Sequence, residues 1–360
     1  MKAFRILEAA VLAGAALQTG VLCARAQYTF TTLNHPLADP SFLGTAITGI
    51  SGTTLVGFYS DSARLAHGFV FDGVTWRTVD YPSSHGTIFS GISGTNISGS
   101  YSDPSTNSQA FIYTGTDFTS VKFPLALDTT AAGISGNSVV GRYSTDGTSY
   151  HGFSYDGSSY ATLDYPLINV QGTYPNGVGG AEVVGYYVDE GVVYHGFIYK
   201  TNSWISFDAP GAASLSGTGT FATSVSGSTI AGFFIDTNHI GHGFLFDGSK
   251  FTVVDAPSAL YATHILGISG TSLVGTFRDG VGWHGFLATL PTPPRLSIAF
   301  EGGVIKISWP YPSTGWSLQQ NTNLGTTNWT PSTGVSNDGT NNLLIVNGPK
   351  DNRFFRLTNP

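Results

Sequence analysis

The sequence predicts an all-β protein in which a six-bladed β-propeller precedes a small β-sandwich domain. Three observations support this: a glycine-rich composition with little charge, a short phrase that recurs every 42 to 47 residues, and complementary ends of the repeat region. The 360 residues include 47 glycines and only 10% charged residues. Such a composition argues against long helices and suits short strands joined by tight turns.

The recurring phrase is Gly-Ile-Ser-Gly, as at residues 49–52. Together with its variants, it places its last glycine at Gly52, Gly94, Gly136, Gly180, Gly227 and Gly270. Alternating Val, Phe, Tyr and Thr between these anchors predict four antiparallel strands per copy, named a to d in chain order. Strand a carries the phrase, strand c carries a His-Gly-Phe phrase, and strand d ends near a proline. Four strands in about 40 residues is the period of a propeller blade.

The ends of the repeat region predict how the ring closes. Residues 28–36 match strand d of the other copies, whereas the last copy has strands a, b and c but no strand d. The N-terminal segment is therefore expected to supply the missing strand, so that six a strands match six d strands and no edge stays free.

We divide the chain into four parts on composition. Residues 1–26 are predicted to be a signal peptide, residues 27–290 the propeller, residues 291–294 a Pro-rich linker, and residues 295–360 a β-sandwich module of Ig or Fn3 type. Cleavage between Ala26 and Gln27 implies a secreted, extracellular or periplasmic protein. An alternative is a lipid-anchored form on Cys23, although Leu22 is a poor fit to the small residue preferred there.

Charge and cysteine content exclude several classes of function. Cys23 is the only cysteine, so the mature chain can hold neither a disulfide nor a thiolate metal site. The net charge is −7 without a basic stripe, which argues against nucleic-acid binding. No later apolar stretch is long enough to span a membrane. We expect a monomer without a cofactor.

The histidines of the His-Gly-Phe phrase could form a site. Strands c and d are joined by a four-residue turn, so if Phe71 faces Trp76, then His67 faces Asp80. The same register predicts the pairs His151–Asp164, His195–Asp208, His242–Asp255 and His284–Asn34. The second copy lacks both partners, because Gln109 faces Lys122.

Two interpretations of these histidines are open: a ring of metal-binding or catalytic groups, or one structural hydrogen bond repeated in each blade. We favour the structural interpretation, because catalysis needs one asymmetric arrangement and because the His and its Asp are lost together in the second copy. We therefore expect no catalytic residue and no metal among them. A second Asp at the end of strand b, such as Asp61 or Asp189, can reach the same His.

The copies resemble the HAF repeat of secreted bacterial proteins, named for a His-Ala-Phe core that follows a Gly-x-Tyr phrase. Here the core reads His-Gly-Phe in five copies and Gln109-Ala110-Phe111 in the second, and Gly57-Phe58-Tyr59 preserves the preceding phrase. The resemblance covers about 260 residues and implies export and repetition, but no reaction. Residues 316–319 and 354–357 resemble short C-terminal β modules of secreted bacterial proteins.

Function is expected where the connections vary. The d–a and b–c connections differ in length, and in a propeller both sets lie on one face. The longest d–a loops are predicted at residues 37–45, 167–175 and 211–222. Candidate ligand-binding residues are Tyr150, Tyr194 and Trp283 before the His, and His85, Tyr174, Tyr261 and His264 in d–a loops.

Two functions from different classes fit this surface. The first is a non-catalytic binding or scaffold protein that contacts a glycan, an envelope component or another protein. The alternative is a secreted polysaccharide hydrolase or lyase with its site at the propeller centre. The enzyme would need two carboxyl groups about 5–10 Å apart in a central pocket.

Overall fold

The computed structural model describes residues 28–102, 107–290, 294–311, 313, 316–347 and 353–358. Within these ranges the chain is all-β, with strands and turns and no helix. A helix long and apolar enough to cross a membrane is accordingly not found in the described part of the chain. The predicted signal peptide and residues 291–293 of the predicted linker lie outside the described residues.

Most of the described chain forms six units, each built of four antiparallel strands in the order a, b, c, d. Unit 1 has β2 (Thr45–Ser51), β3 (Thr54–Ser60), β4 (Ala66–Phe71) and β5 (Trp76–Thr78). Unit 2 has β6 (Thr87–Ser93), β7 (Asn96–Ser102), β8 (Ser108–Tyr113) and β9 (Phe118–Val121). Unit 3 has β10 (Asp128–Ser135), β11 (Ser138–Ser144), β12 (His151–Tyr155) and β13 (Tyr160–Thr162).

Units 4 to 6 repeat the arrangement. Unit 4 has β14 (Gly172–Gly179), β15 (Glu182–Val188), β16 (Tyr194–Lys200) and β17 (Ser203–Phe207). Unit 5 has β18 (Gly219–Ser226), β19 (Thr229–Ile235), β20 (Gly241–Phe246) and β21 (Phe251–Val253). Unit 6 has β22 (Ala262–Ser269), β23 (Ser272–Arg278) and β24 (Trp283–Thr289), and its fourth strand is β1 (Thr29–Thr32).

The N-terminal strand completes unit 6. β1 runs antiparallel to β24, with Thr29 opposite Thr289 and Thr32 opposite Phe286. The chain then enters unit 1, which also contacts unit 6: the backbone N–H of Trp283 donates to the carbonyl oxygen of Pro40 at 3.0 Å. The first and last units of the repeat region are therefore neighbours, as the complementary ends of the sequence predict.

The a strands of all six units line one central cavity of about 100 Å³. Neighbouring a strands are linked near the a–b turns, where the Ser51 hydroxyl accepts a hydrogen bond from the N–H of Gly94 at 3.2 Å. The equivalent bond joins Ser93 to Gly136 at 2.9 Å. The serine of the Gly-Ile-Ser-Gly phrase thus ties one unit to the next.

Backbone conformation explains why each Gly-Ile-Ser-Gly phrase or variant ends in glycine. In all six units it begins the a–b turn with a positive φ between 56° and 61°. A Cβ at Gly136 would meet no atom within 4 Å, so backbone conformation rather than space selects glycine there.

The phenylalanine of the His-Gly-Phe phrase forms the core of each unit. Phe69, Phe111, Phe153, Phe197, Phe244 and Phe286 are all fully buried. Each packs near a glycine of strand b: a Cβ at Gly141 would lie 2.0 Å from the carbonyl oxygen of Thr130 and 3.0 Å from the Phe153 ring. The repeat therefore encodes a close approach of strands as well as a buried ring.

The C-terminal residues form two small sheets. One contains β25 (Ser297–Glu301), β26 (Val304–Pro310), β29 (Ser336–Asn337) and β30 (Asn341–Asn347). The other contains β27 (Ser317–Asn321), β28 (Thr330–Pro331) and β31 (Phe354–Thr358). Both contribute to one core of Ile307, Trp309, Leu318, Leu344 and Val346.

Candidate functional site

The loop face is the end of the units that carries the d–a and b–c connections. Antiparallel order puts both sets at the same end, opposite the a–b and c–d turns. Most of the exposed large apolar side chains of the units lie there, including Leu37, Phe42, Leu43, Leu65, Leu125, Leu127, Leu167, Ile168, Leu215, Leu260 and Val281. A concentration of exposed apolar residues at one end of a protein marks an interaction surface.

Each histidine of the His-Gly-Phe phrase contacts the predicted partner, which lies one or two residues beyond the end of strand d. The distances from its Nδ1 are 2.8 Å to Asp80 for His67, 2.7 Å to Asp164 for His151, 3.0 Å to Asp208 for His195, 2.9 Å to Asp255 for His242 and 2.9 Å to Asn34 for His284. The other oxygen of Asp80 accepts from the backbone N–H of Gly68 at 3.2 Å. Asp164 and Asp255 accept the equivalent backbone hydrogen bonds from Gly152 and Gly243, so these three Asp residues each join a side chain and the backbone of the neighbouring strand.

A second carboxylate reaches the same ring in four of the units. The Nε2 atom lies 3.4 Å from Asp61 in unit 1, 3.4 Å from Asp189 in unit 4, 3.7 Å from Asp236 in unit 5 and 3.2 Å from Asp279 in unit 6. Asp103 of unit 2 lies outside the described residues. Burial lowers the pKa of His67, but its hydrogen bonds to the carboxylates of Asp80 and Asp61 and their negative charges outweigh burial and raise that pKa overall.

In units 1, 4 and 5 these clusters place two carboxylates around one imidazole, whereas His151 of unit 3 has one carboxylate partner and His284 of unit 6 has one carboxylate and one amide. In the described ranges no three His, Cys, Asp or Glu residues are arranged to hold a metal ion. The described lining of the central cavity consists of Gly, Ala, Val, Leu, Ile, Ser, Thr and Asn side chains, such as Thr48, Asn176 and Ser224. That lining contributes no carboxyl pair for the hydrolase alternative.

The predicted ligand-binding residues occupy different positions. Tyr194 and Trp283 are the first residues of β16 and β24, and Tyr150 lies just before β12, in a parallel bridge with Gly172. His85 and Tyr261 lie in d–a connections and are exposed.

The assignment of Tyr174 and His264 to d–a loops was wrong. Both lie in a strands, because β14 begins at Gly172 and β22 at Ala262. The predicted loops 167–175 and 211–222 are accordingly too long, since β18 begins at Gly219. His264 is packed between the rings of Phe233 and Trp283, and burial lowers its pKa to about 4.

The structure joins several of these residues into one continuous row, here called the aromatic arc. Its members are Tyr150, Tyr174, Tyr186, Tyr194, Phe221, Phe233, His264 and Trp283. Successive ring centroids are 3.9 to 6.3 Å apart, for example 4.8 Å between Tyr174 and Tyr186. The arc has aromatic a-strand residues in units 4 to 6, whereas the matching positions of units 1 to 3 hold Ala46, Ile88 and Thr130. With Tyr150 of unit 3, the arc therefore extends over units 3 to 6 and distinguishes them from units 1 and 2.

An arginine lies at each end of the arc. The Arg142 guanidinium is 5.2 Å from the Tyr150 ring centroid and 5.5 Å from that of Tyr174. The Arg278 guanidinium is 5.5 Å from the Tyr261 ring and 5.8 Å from the Trp283 ring. Sequence reasoning missed both arginines, and also Tyr186, Phe221 and Phe233. The signal was available, because these positions differ from unit to unit within a repeat that is otherwise regular.

A cleft of about 420 Å³ opens on the loop face between units 6 and 1. It is lined by Pro40, Ser41, Tyr261, Arg278, Asp279 and Trp283, among others. The Oδ1 atom of Asp279 accepts from the N–H groups of Val281 and Gly282 and lies 3.2 Å from the Nε2 of His284. The repeated His–Asp network therefore holds this carboxylate in place at the cleft wall.

Comparison with known proteins gives a likeness of fold only. No family model matches the chain, and no curated protein matches it. Among solved structures, a mutant of Aleuria aurantia lectin in complex with alpha-methyl-L-fucoside is similar, with 12% sequence identity, coverage of 88% of this chain and 98% of that chain, and a TM-score of 0.46.

Two further solved structures show the same range of similarity. AofleA from Arthrobotrys oligospora is 13% identical, with coverage of 92% of this chain and 96% of that chain and a TM-score of 0.43. The β-propeller domain of the Trilobed protease from Pyrococcus furiosus is 8% identical, with coverage of 69% and 82% and a TM-score of 0.44. At these values the similarity says nothing about what this chain binds.

Proposed function

We propose that this chain is an exported, non-catalytic glycan-binding protein whose six units form a closed six-bladed β-propeller followed by a β-sandwich module. The cleft between units 6 and 1 on the loop face is the proposed binding site. The observation that carries the proposal is the position of the Arg278 guanidinium between the rings of Tyr261 and Trp283, beside the carboxylate of Asp279.

The chemistry of this cleft suits a sugar ring. An aromatic face such as Trp283 packs against the C–H face of a pyranose, while guanidinium and carboxylate groups pair with vicinal hydroxyls. The Oδ2 atom of Asp279 and the Arg278 guanidinium make no hydrogen bond with any other described residue, so they can serve a ligand. The cleft volume lies within the range of small-molecule sites, about 300–1,000 Å³.

Export and the resemblance to HAF-repeat proteins support an extracellular glycan, but both stay predictions, as does the monomeric state. The exposed apolar side chains around the loop face favour an insoluble or surface-bound polymer over a small free sugar. The site would then hold one sugar unit of the polymer while the surrounding loops contact its neighbours.

A pull-down on insoluble and immobilised polysaccharides tests the proposal. We expect the wild-type chain to be retained without releasing soluble sugar, and Arg278→Ala and Trp283→Ala to reduce retention at least about tenfold. Tyr311→Ala removes an exposed aromatic of the C-terminal module and is the matched control. Retention that is unaffected by both cleft variants would reject this site, and release of oligosaccharides would favour the hydrolase alternative.

A further inference from the structure

Arg142 carries a positive charge that has no ionic partner in the part of the chain that the structure describes. Its side chain is partly buried, and its Nε atom is buried with no hydrogen-bond partner. Its guanidinium lies over the rings of Tyr150 and Tyr174, and no described carboxylate forms an ion pair with it. A buried guanidinium nitrogen without a hydrogen-bond acceptor is costly, so this arrangement favours an anion as its partner.

The fold does not require an arginine at this position. Arg142 lies in β11, opposite Thr130 of β10 and Gly152 of β12. The register puts Phe58, Ser100, Tyr186, Phe233 and Thr276 at the same place in the other units. Four different uncharged side chains (Phe, Ser, Tyr and Thr) therefore occupy the same backbone position in the other five units, and the charge in unit 3 is a local feature.

Four tyrosines gather around this charge. Burial raises the pKa of Tyr186, and the Arg142 guanidinium partly opposes that shift, while Tyr174 and Tyr194 add to it. Burial likewise raises the pKa of Tyr174, again against the influence of Arg142. The hydroxyls of Tyr174 and Tyr186 therefore stay protonated at neutral pH. None of the four tyrosine hydroxyls makes a hydrogen bond with another described residue, so each can donate one to a ligand.

We propose that Arg142, with Tyr150, Tyr174 and Tyr194, binds the carboxylate of an acidic sugar, a uronate unit within the glycan. A guanidinium pairs with a planar carboxylate through two parallel hydrogen bonds, and the tyrosine rings offer faces for the pyranose. This inference rests on the proposed function and adds a subsite for an acidic unit to it. The net charge of −7 favours a glycan with isolated carboxylates over a densely charged polyanion.

Calorimetric titration of the full chain with galacturonate, its methyl ester and galactose tests the subsite. The ester keeps the shape of the acid and removes its charge. We expect galacturonate to bind about 10- to 100-fold more tightly than its ester, which is the range for a hydrogen-bonded charge pair. Arg142→Ser copies unit 2 and should abolish this preference, whereas Arg142→Lys should keep part of it because the charge stays but the planar fork is lost.

The variant Arg278→Ala separates this inference from the proposed function. Suppose that Arg142→Ser abolishes the preference for galacturonate over its ester, while Arg278→Ala leaves galactose binding unchanged. The acidic subsite is then supported, and the assignment of the binding site to the cleft between units 6 and 1 is wrong. If galactose binds at that cleft but wild type shows no preference for the acid over its ester, the subsite is overturned. An equal preference in Arg142→Ser, with an unchanged thermal melt, would overturn it too.

Discussion

The Nδ2 atom of Asn34 lies 2.9 Å from the Nδ1 atom of His284, although 250 residues separate them in the chain. In four other units an Asp just after strand d occupies the place of Asn34. One side-chain contact therefore recurs within units and also joins the N-terminal strand to unit 6. The contact therefore forms both between neighbouring strands of one chain segment and between the two distant segments of unit 6, which indicates a structural role for these histidines.

The first prediction concerns the cost of losing such a pair. His195→Ala leaves Asp208 without its partner, so we expect the free energy of unfolding to fall by about 1–3 kcal/mol, measured in urea. The matched control is Gln109→Ala, in the unit that has no His–Asp pair, where we expect about 0.5 kcal/mol or less. Equal losses in the two variants would argue against the pairing.

The second prediction concerns the charge of the partner that faces such a His. Burial lowers the pKa of His67, but its hydrogen bonds to Asp80 and Asp61 raise that pKa overall, and Asp80→Asn gives unit 1 the amide partner that unit 6 has in Asn34. A His whose pKa is raised in the folded protein stabilises it below the unfolded pKa near 6.5, and this stability is lost as pH rises through the folded value. We expect Asp80→Asn to lose about 1 kcal/mol relative to wild type at pH 5.5 and less at pH 8, from urea melts at both values. Equal losses at the two pH values would contradict this assignment.

The third prediction concerns His35, which the sequence analysis overlooked. The His35 ring stacks on the Tyr59 ring, with 3.8 Å between their centroids. The equivalent stacks are Phe123 on Tyr143 in unit 3 and Tyr165 on Tyr187 in unit 4. Burial, and then repulsion from His67, lower the pKa of His35 to about 4. Between pH 6.5 and 4 the unfolded chain binds the proton more readily, so stability should fall as the pH falls.

The variant His35→Phe isolates this contribution, because it copies the stack of unit 3. Relative to the variant, the wild type should lose up to about 3 kcal/mol between pH 7 and pH 4. Parallel stability curves for the two proteins across this range would contradict the assignment.

The fourth prediction concerns the a–b turn. Gly136 has a φ of 59°, so Gly136→Ala should cost about 1–2 kcal/mol although a methyl group would meet no atom within 4 Å. Asn137→Ala, in the same exposed turn, should change the free energy of unfolding by no more than about 0.5 kcal/mol. A neutral Gly136→Ala would show that the glycine is not needed for its conformation.

The repeat is what made the fold accessible from sequence. The spacing of Gly136 and its equivalents predicts the strand order, and the c–d turn predicts which residue lies opposite His67, because pairing in a short hairpin is set by counting. The first residues of the strands were harder to predict from the sequence. The a strands extend upstream of the phrase, so Tyr174 and His264 were placed in loops.

The candidate site was less predictable for a related reason. A repeat shows what the units share, whereas the aromatic arc and the two arginines depend on how the units differ. Arg142 of unit 3 also contacts the ring of Tyr174 of unit 4. The sequence pattern within one unit does not predict a contact between two units. Residues that vary at fixed positions of the repeat are where such a site should be sought.

Equilibrium binding of neutral oligosaccharides to the wild-type chain, Trp283→Ala and Tyr311→Ala, with reducing ends assayed in the same samples, tests the central claim most directly. The proposed function predicts binding by wild type and Tyr311→Ala, at least about tenfold weaker binding by Trp283→Ala, and no new reducing ends. Equal binding by all three proteins, or the appearance of reducing ends with the wild type, would contradict it.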